Sequence, residues 1–506
     1  MSFFEKIFSP HLPPRHPRRR PAYPGPLTGA ALEGLFADCD DLEKRALVLG
    51  GGPVTATLYY IDGITAAADI SRLVVQPLTD SARLPAPATA KACIARIEAG
   101  AVYGCTLRRR DTLDAAAEDL LRGYAVLVFD REELALTFEM KANPQRSVSE
   151  PTTEKSVKGA KDAFIENLRM NTALVRRRIA SPALKICQTT VGRKSRTAVA
   201  LVYVDGVADG EFLAELRRRV DAIDVDGLLT TAYLEEYIVD RPRSPFPQLI
   251  QTERPDKFAL NLLEGRVGLL ADGLPLGFLV PATLPELLKV PEDSSRSFLT
   301  ASLLTCLRFI GLLVTVFLPG FYVAVALYHQ EMIPVKLLLS MIDSKQQVPF
   351  STFVEISAML IAFEFLQEAG LRLPSQIGQT VSILGGLIVG QAAVEAKVVS
   401  PITVIVVALA GIAGYTCPNS DLENTARVLR FALVLAAMAG GMFGIMCAAA
   451  LLVWHLCALE SMGVAYLSPL TDGGIAALLR GLARLPLRLT KRRDEALRTP
   501  DKRAQK

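Results

Sequence analysis

Val54-Thr-Ala-Thr-Leu-Tyr-Tyr-Ile-Asp-Gly63 and Thr197-Ala-Val-Ala-Leu-Val-Tyr-Val-Asp-Gly206 are two versions of one phrase. Both are rich in β-branched and aromatic residues, which suit a pleated, half-buried surface. Both stop at Asp-Gly, where Gly accepts a positive φ and Asp can bond its own backbone. A helical pattern follows each, at about residues 67–76 and 210–222. Further out, Leu113 to Gly123 and Asp256 to Gly265 each read as a short helix ending in Gly. Each leads into a strand–turn–strand, Tyr124 to Met140 with Asp130 at the turn and Arg266 to Val280 with Asp272-Gly273. The offset is 143 residues from Asp62 to Asp205 and 142 from Gly123 to Gly265. A nearly constant offset predicts two related α/β subdomains, residues 29–145 and 186–299. Asp62 and Asp205 are read first as turn residues, with ligand contact as the alternative.

Residues 146–185 link the halves. The pattern predicts a long helix from Ala160 to Arg178, capped by Thr153 or Ser156. Phe164, Leu168, Leu174 and Val175 form its apolar stripe, and Arg169 and Arg176 to Arg178 fall outside it. Arg176, Arg177 and Arg178 complement the helix dipole. They read as a solvated helix end or as contacts to a neighbouring subunit or lipid headgroups. Residues 1–28 read as a disordered, basic, Pro-rich arm.

The composition is two compositions joined. Among 506 residues, 108 are charged, half are hydrophobic and the net charge is +4. Residues 300–460 carry 16 charges in 161 positions, whereas the other 345 carry 92. That excludes one uniform globular protein and predicts a soluble part followed by a membrane domain over residues 300–462. The first 24 residues sum to +4, residues 25–299 to −4, residues 300–462 to −2 and the tail 463–506 to +6. The two basic ends do not interleave aromatics, so a membrane-surface or cytosolic role is expected and nucleic acid is not.

Four apolar runs stand out: Leu303–Tyr328, Ile377–Val394, Ile402–Tyr415 and Phe431–Leu459. A fifth, Phe350–Gln367, holds Glu355 and Glu364, with Glu368 just beyond; Glu364 and Glu368 share a helical face and Glu355 points the opposite way. Such a segment packs in protein, lies at the interface or lines water. With the soluble part and the basic tail 463–506 both cytosolic, the crossings must be even. The expectation is about four spans plus one interfacial or re-entrant helix, which leaves Arg427 and Arg430 on the wrong side. Gly386-Leu-Ile-Val-Gly390 and Gly440-Gly-Met-Phe-Gly444 are close-packing motifs, within the chain or between subunits. Gln379, Gln391 and Glu395 share the apolar run with Gly386 and Gly390, making that helix the first candidate for a pore or subunit interface.

Catalytic chemistry finds little support. The four His are His11, His16, His329 and His455, so residues 25–299 hold none. A His-based triad or metal site is excluded there. The eight Cys include no C-x-x-C, and Gly50-Gly51-Gly52-Pro53 lacks the Lys-Ser/Thr of a phosphate loop. No enzyme activity, cofactor or metal is expected.

One set of residues is familiar. Ser149-Glu-Pro-Thr-Thr-Glu154, Gly159, Phe164-Ile-Glu-Asn167 and Asn171 to Ile179 resemble the GerA family of spore germination proteins. So do Phe246-Pro-Gln248, Thr252-Glu-Arg-Pro-Asp256, Leu263-Glu-Gly-Arg266, Asp272-Gly273, Ile377-Gly-Gln-Thr380, Gly390 to Glu395 and Tyr466-Leu-Ser-Pro469. The resemblance runs in order over about residues 29–470. Gly159-Ala-Lys-Asp162 departs from the usual run. The resemblance implies the A subunit of a nutrient germinant receptor in the spore inner membrane. It implies a transporter-like B subunit and a lipoprotein C subunit as partners. It further implies a homo-oligomer of A subunits that forms or gates an ion channel, in which each intramembrane acid becomes a ring. Two alternatives are an accessory subunit of the dipicolinate-release complex and, from another class, a secondary transporter; too few spans argue against the latter.

Overall fold

The computed structural model describes residues 23–505, apart from 88, 103–104, 143–150, 152–153, 155–158, 373–389, 472–474 and 487–489. The chain divides into two compact units. One comprises Met1–Asp240, Leu249–Pro281 and Pro486–Lys506; the other comprises Arg241–Gln248 and Ala282–Leu485.

The first unit repeats one topology twice. Its first sheet contains β1 (Leu42–Val48), β2 (Thr55–Ile61), β3 (Leu107–Arg110), β4 (Tyr124–Phe129) and β5 (Leu134–Glu139), ordered β1-β2-β4-β5-β3. The second contains β6 (Leu184–Val191), β7 (Thr197–Val204), β8 (Ile250–Thr252), β9 (Val267–Ala271) and β10 (Gly277–Val280), ordered β6-β7-β9-β10-β8. Position by position the orders are the same. The two Asp-Gly strands, β2 and β7, hold equivalent places, and the backbone agrees: Asp62 N donates to Asp41 O at 2.8 Å and Asp205 N to Ala183 O at 2.7 Å. Each strand pair is antiparallel. Helices and strands alternate, yet among the described residues the two sheets contain no parallel crossover.

The predicted glycine stops hold. Helix α1 (Leu113–Leu121) runs to Gly123 at φ +83°, and a helix over Pro255–Glu264 ends on Gly265 at φ +112°. Between them lies the linker helix α2 (Leu168–Arg178); the Pro255–Glu264 helix is α3. Linker helix α2 is shorter than predicted. It starts after Asn167, whose side chain accepts from Met170 N at 3.1 Å. Residues 160–167 are not helical, because Phe164 N donates to Glu253 O at 2.7 Å and the ring packs edge-on against Phe258 at 5.4 Å. That neighbour rests on two glycines: a Cβ on Gly268 would overlap the Phe258 ring, and one on Gly277 would stand 2.6 Å from it.

Three expected boundaries move. Residues 23–28, assigned to the arm, are seated: Tyr23 N donates to Asp114 Oδ1 at 2.5 Å and Leu27 is buried. The second subdomain ends at Pro281 rather than 299. The tail is not one basic extension. Its last part, from Pro486, belongs to the first unit, where Leu497 and Thr499 are buried and Arg493 Nε donates to Leu263 O at 2.9 Å.

The second unit is helical: α4 (Phe298–Tyr328), α5 (Val335–Lys345), α6 (Thr352–Arg372), α7 (Pro401–Gly414) and α8 (Ser420–Cys457). Among the described residues, α4 and α8 are long and apolar enough to cross a membrane. At 1.5 Å per residue, the 14-residue α7 measures about 21 Å, short of a hydrocarbon core of roughly 30 Å. The Ile377–Val394 run lies largely outside the described residues. Leu299, Leu303, Phe443, Leu451 and Trp454 are exposed, an outward apolar face suited to lipid. The Gly440–Gly444 motif does something other than seam two helices. Gly440 (φ −144°, ψ 17°) and Gly441 (φ 56°, ψ −135°) break α8. Tyr328 sits against the break, 3.0 Å from where a Gly441 Cβ would stand, and its hydroxyl donates to Met438 O at 2.5 Å. A carbonyl released by the break is thereby satisfied.

Candidate functional site

Two sets of charged groups matter. The first is on the α/β unit. Arg176, predicted to be solvated, is fully enclosed. Its Nε and Nη2 donate to Asp41 at 2.9 and 2.7 Å, and Nη1 donates to Leu184 O at 2.7 Å and Ser181 O at 3.4 Å. The wheel reading failed because the guanidinium curls under the helix end, where burial is tolerable only with every donor satisfied. Burial opposes its charge and Asp41 restores it, leaving the Arg176 pKa raised. Arg178 bonds both Asp162 oxygens at 2.5 Å, and Arg177 donates to Ala142 O at 3.1 Å. The triplet thus ties the linker helix to its own chain. Asp62 is ion-paired with Arg169, whereas Asp205 is exposed. The repeat is therefore equal in backbone and unequal in side chains.

The residues that carry the family resemblance meet in the second subdomain. Glu154 takes Lys257 Nζ at 2.7 Å and Glu253 N at 3.2 Å, and Arg254 bonds Asp256 at 2.7 and 3.0 Å. Asn171 closes a two-way clasp with the Ile165 backbone at 2.9 and 2.6 Å, and Asp272 Oδ1 accepts Leu168 N at 3.0 Å. This network fastens the linker to β8–β10. Sequence reading recognised these residues only as a pattern; Glu154 and Lys257 are 103 positions apart, and no local signal pairs them.

The second set is in the helical unit. Glu364 on α6 is clamped by Arg427 and Arg430 of α8, with Arg427 Nε donating at 2.9 Å. Arg430 is 2% exposed. Arg427 and Arg430, which the charge rule left on the wrong side, are thus met by an acid within the helical unit, as charges on an apolar helix require. Two Arg at i and i+3 in an apolar helix were the available signal. Glu355 is buried on the opposite side of α6 and accepts from Ser400 N at 2.8 Å and Thr403 Oγ1 at 3.0 Å. Gln391 donates to Glu395 at 3.0 Å, and both are exposed. Gly390 is buried beside Val404. Gln379 and Gly386 lie outside the described residues. The structure thus separates the candidate acids into two internally paired sites, Glu355 and Glu364, and one open pair, Gln391–Glu395.

Fold and site define a class: a duplicated α/β unit joined to apolar helices in which Glu355 and Glu364 are paired within the chain. The family described as Bacillus/Clostridium GerA spore germination protein matches residues 30–496, and the chain belongs to that family. Spore germination protein B1 of Bacillus subtilis is 34% identical over 462 residues, 91% of this chain and 95% of that one. The Bacillus subtilis membrane protein YfkQ is 39% identical over 438 residues, 86% of this chain and 83% of its own length. Among solved structures, the N-terminal domain of the A subunit of the Bacillus megaterium spore germinant receptor GerK3 is 28% identical. It covers 50% of this chain and 93% of that one, with a TM-score of 0.39.

Proposed function

We propose that this chain is the A subunit of a nutrient germinant receptor in the spore inner membrane, oligomerising to form or gate an ion path. Family membership carries the reading. The charged groups within the helical unit support it. The structure of Glu364, Arg427 and Arg430 fits a fixed strut, and the exposed Gln391–Glu395 pair is the remaining polar face that a neighbouring copy or water could use. In this reading four segments cross, both ends are cytosolic, and a transporter-like B subunit and a lipoprotein C subunit complete the receptor. Glu395→Gln and Gly390→Leu are expected to slow nutrient-triggered potassium release from spores while leaving the receptor assembled. If both variants assemble and release ions as the parent does, this face is not the path. Reconstituted vesicles supply the wider test. Nutrient-dependent cation flux without substrate uptake is expected; substrate-coupled uptake by the purified chain alone would favour a transporter.

A further inference from the structure

We propose that Glu355 and the hydroxyls around it form a binding site for an alkali-metal cation, with the Lys345 ammonium as a built-in competitor. The Glu355 side chain is fully enclosed. Its Oε2 is occupied by Ser400 N at 2.8 Å and Thr403 Oγ1 at 3.0 Å. Its Oε1 has no hydrogen-bond partner and faces Lys345 Nζ at 3.7 Å, an ion-pair distance only. Two more buried oxygens are unpartnered. Tyr322 brings its hydroxyl beside Ser400 and Thr403, and Thr352 stands one turn before Glu355 on the same face of α6. Ser400 Oγ and Thr403 Oγ1 are 2.9 Å apart. Three elements, α4, α6 and α7 with its N-cap Ser400, therefore bring oxygen atoms around one carboxylate, whose own Oε1 has no hydrogen bond.

The donor chemistry selects the ligand. All donors are oxygens, so a thiolate- or imidazole-seeking metal is not matched. One carboxylate is a poor counterweight to a divalent ion, which takes several carboxylates or retains its waters. One formal negative charge balances one sodium or potassium ion. The pocket already tolerates a monovalent cation, because Lys345 supplies one. Lys345 also has somewhere to go: its side chain is 27% exposed and lines a cavity of about 270 Å³ with Ala326, Gln330, Met341 and Gln346. Entry of an alkali ion and withdrawal of the ammonium conserve the charge beside Glu355. That avoids the cost of an unpaired buried carboxylate. The site stands on this geometry whether or not the chain conducts ions.

The test uses the purified full-length chain in detergent. Thermal unfolding is compared in potassium, sodium and choline chloride at equal ionic strength. Lys345→Met removes the competitor, and its midpoint is expected to rise by about 3 °C, saturably, in potassium or sodium relative to choline. The parent is expected to show the same rise at higher salt. Glu355→Gln is expected to abolish it. If K345M does not accumulate, Lys345→Gln keeps the length and polarity and enters the same comparison. Equal midpoints in all three salts for the parent and the Lys345 variant overturn the proposal, as does an alkali-specific rise that persists in E355Q. Germination is not a readout, so a negative result here leaves the receptor reading standing.

Discussion

Asp41→Ala would leave the Arg176 guanidinium buried without its counter-ion. The parent pair is bidentate at 2.9 and 2.7 Å, with the two side chains 0% and 5% exposed. Two charge-assisted hydrogen bonds are lost, each worth roughly 1.5–3 kcal/mol. The carbonyls of Leu184 and Ser181 still hold Nη1, so the guanidinium cannot easily swing out to water. Removing one partner of a buried pair costs about 3–5 kcal/mol, in line with that sum. At about 1.4 kcal/mol per tenfold, amides of α2 should exchange with deuterium some hundreds to thousands of times faster in the variant. Hydrogen-exchange mass spectrometry on the full-length protein reads this directly. Peptides covering 168–178 and 38–48 should lose protection, and those over Val267–Ala271 should not. The double variant Asp41→Leu with Arg176→Met removes both charges and should recover most of the protection, because a well-packed apolar pair substitutes for a buried ion pair. Two results refute the reasoning: exchange in D41A within threefold of the parent, or a double variant as open as the sum of its single changes.

Three further outcomes are expected. Gly268→Ala drives a methyl into the Phe258 ring and should destabilise the α/β unit by about 1–3 kcal/mol; adding Phe258→Leu should restore part of the loss in a thermal melt. The Glu215 carboxyl is held down at about 2 by hydrogen bonds from Arg218 and Arg219. A depressed folded pKa gives stability that is complete above the ordinary value of 4.5 and is lost as pH falls toward about 2. Protection of the helix Gly210–Asp221 should therefore fall over that window, and Glu215→Gln should flatten the dependence. Burial pushes the Cys93 thiol up to about 11, so it should resist maleimide at pH 8 until the chain is denatured; rapid labelling of the native protein would show that the core around it opens.

Much of the architecture was legible because it is written in short-range patterns. Runs of β-branched and aromatic residues closed by Asp-Gly marked β2 and β7, and Gly123 and Gly265 marked the ends of α1 and α3, because only glycine sits easily at those φ values. The constant offset between the halves predicted a repeat, and the strand orders match it. The α2 boundary was misread because residues 160–167 have helical composition but their backbone groups bond Glu253, Gly273 and the Asn171 side chain instead of one another. The site was legible only as a set of suspects: Glu355 and Glu364 were marked as polar groups in an apolar segment, and nothing local named their partners. Gln379 and Gly386 remain suspects outside the described residues.

By itself the sequence determined the duplicated unit, the charge-poor helices and the family, all of which depend on the order and spacing of neighbours along the chain. Tertiary structure alone decided which charges meet. Arg176 finds Asp41 across 135 residues, and Arg427 finds Glu364 across 63. A charge taken out of water must be paired by whatever the fold brings near it, and proximity in space has no period that a linear pattern can carry.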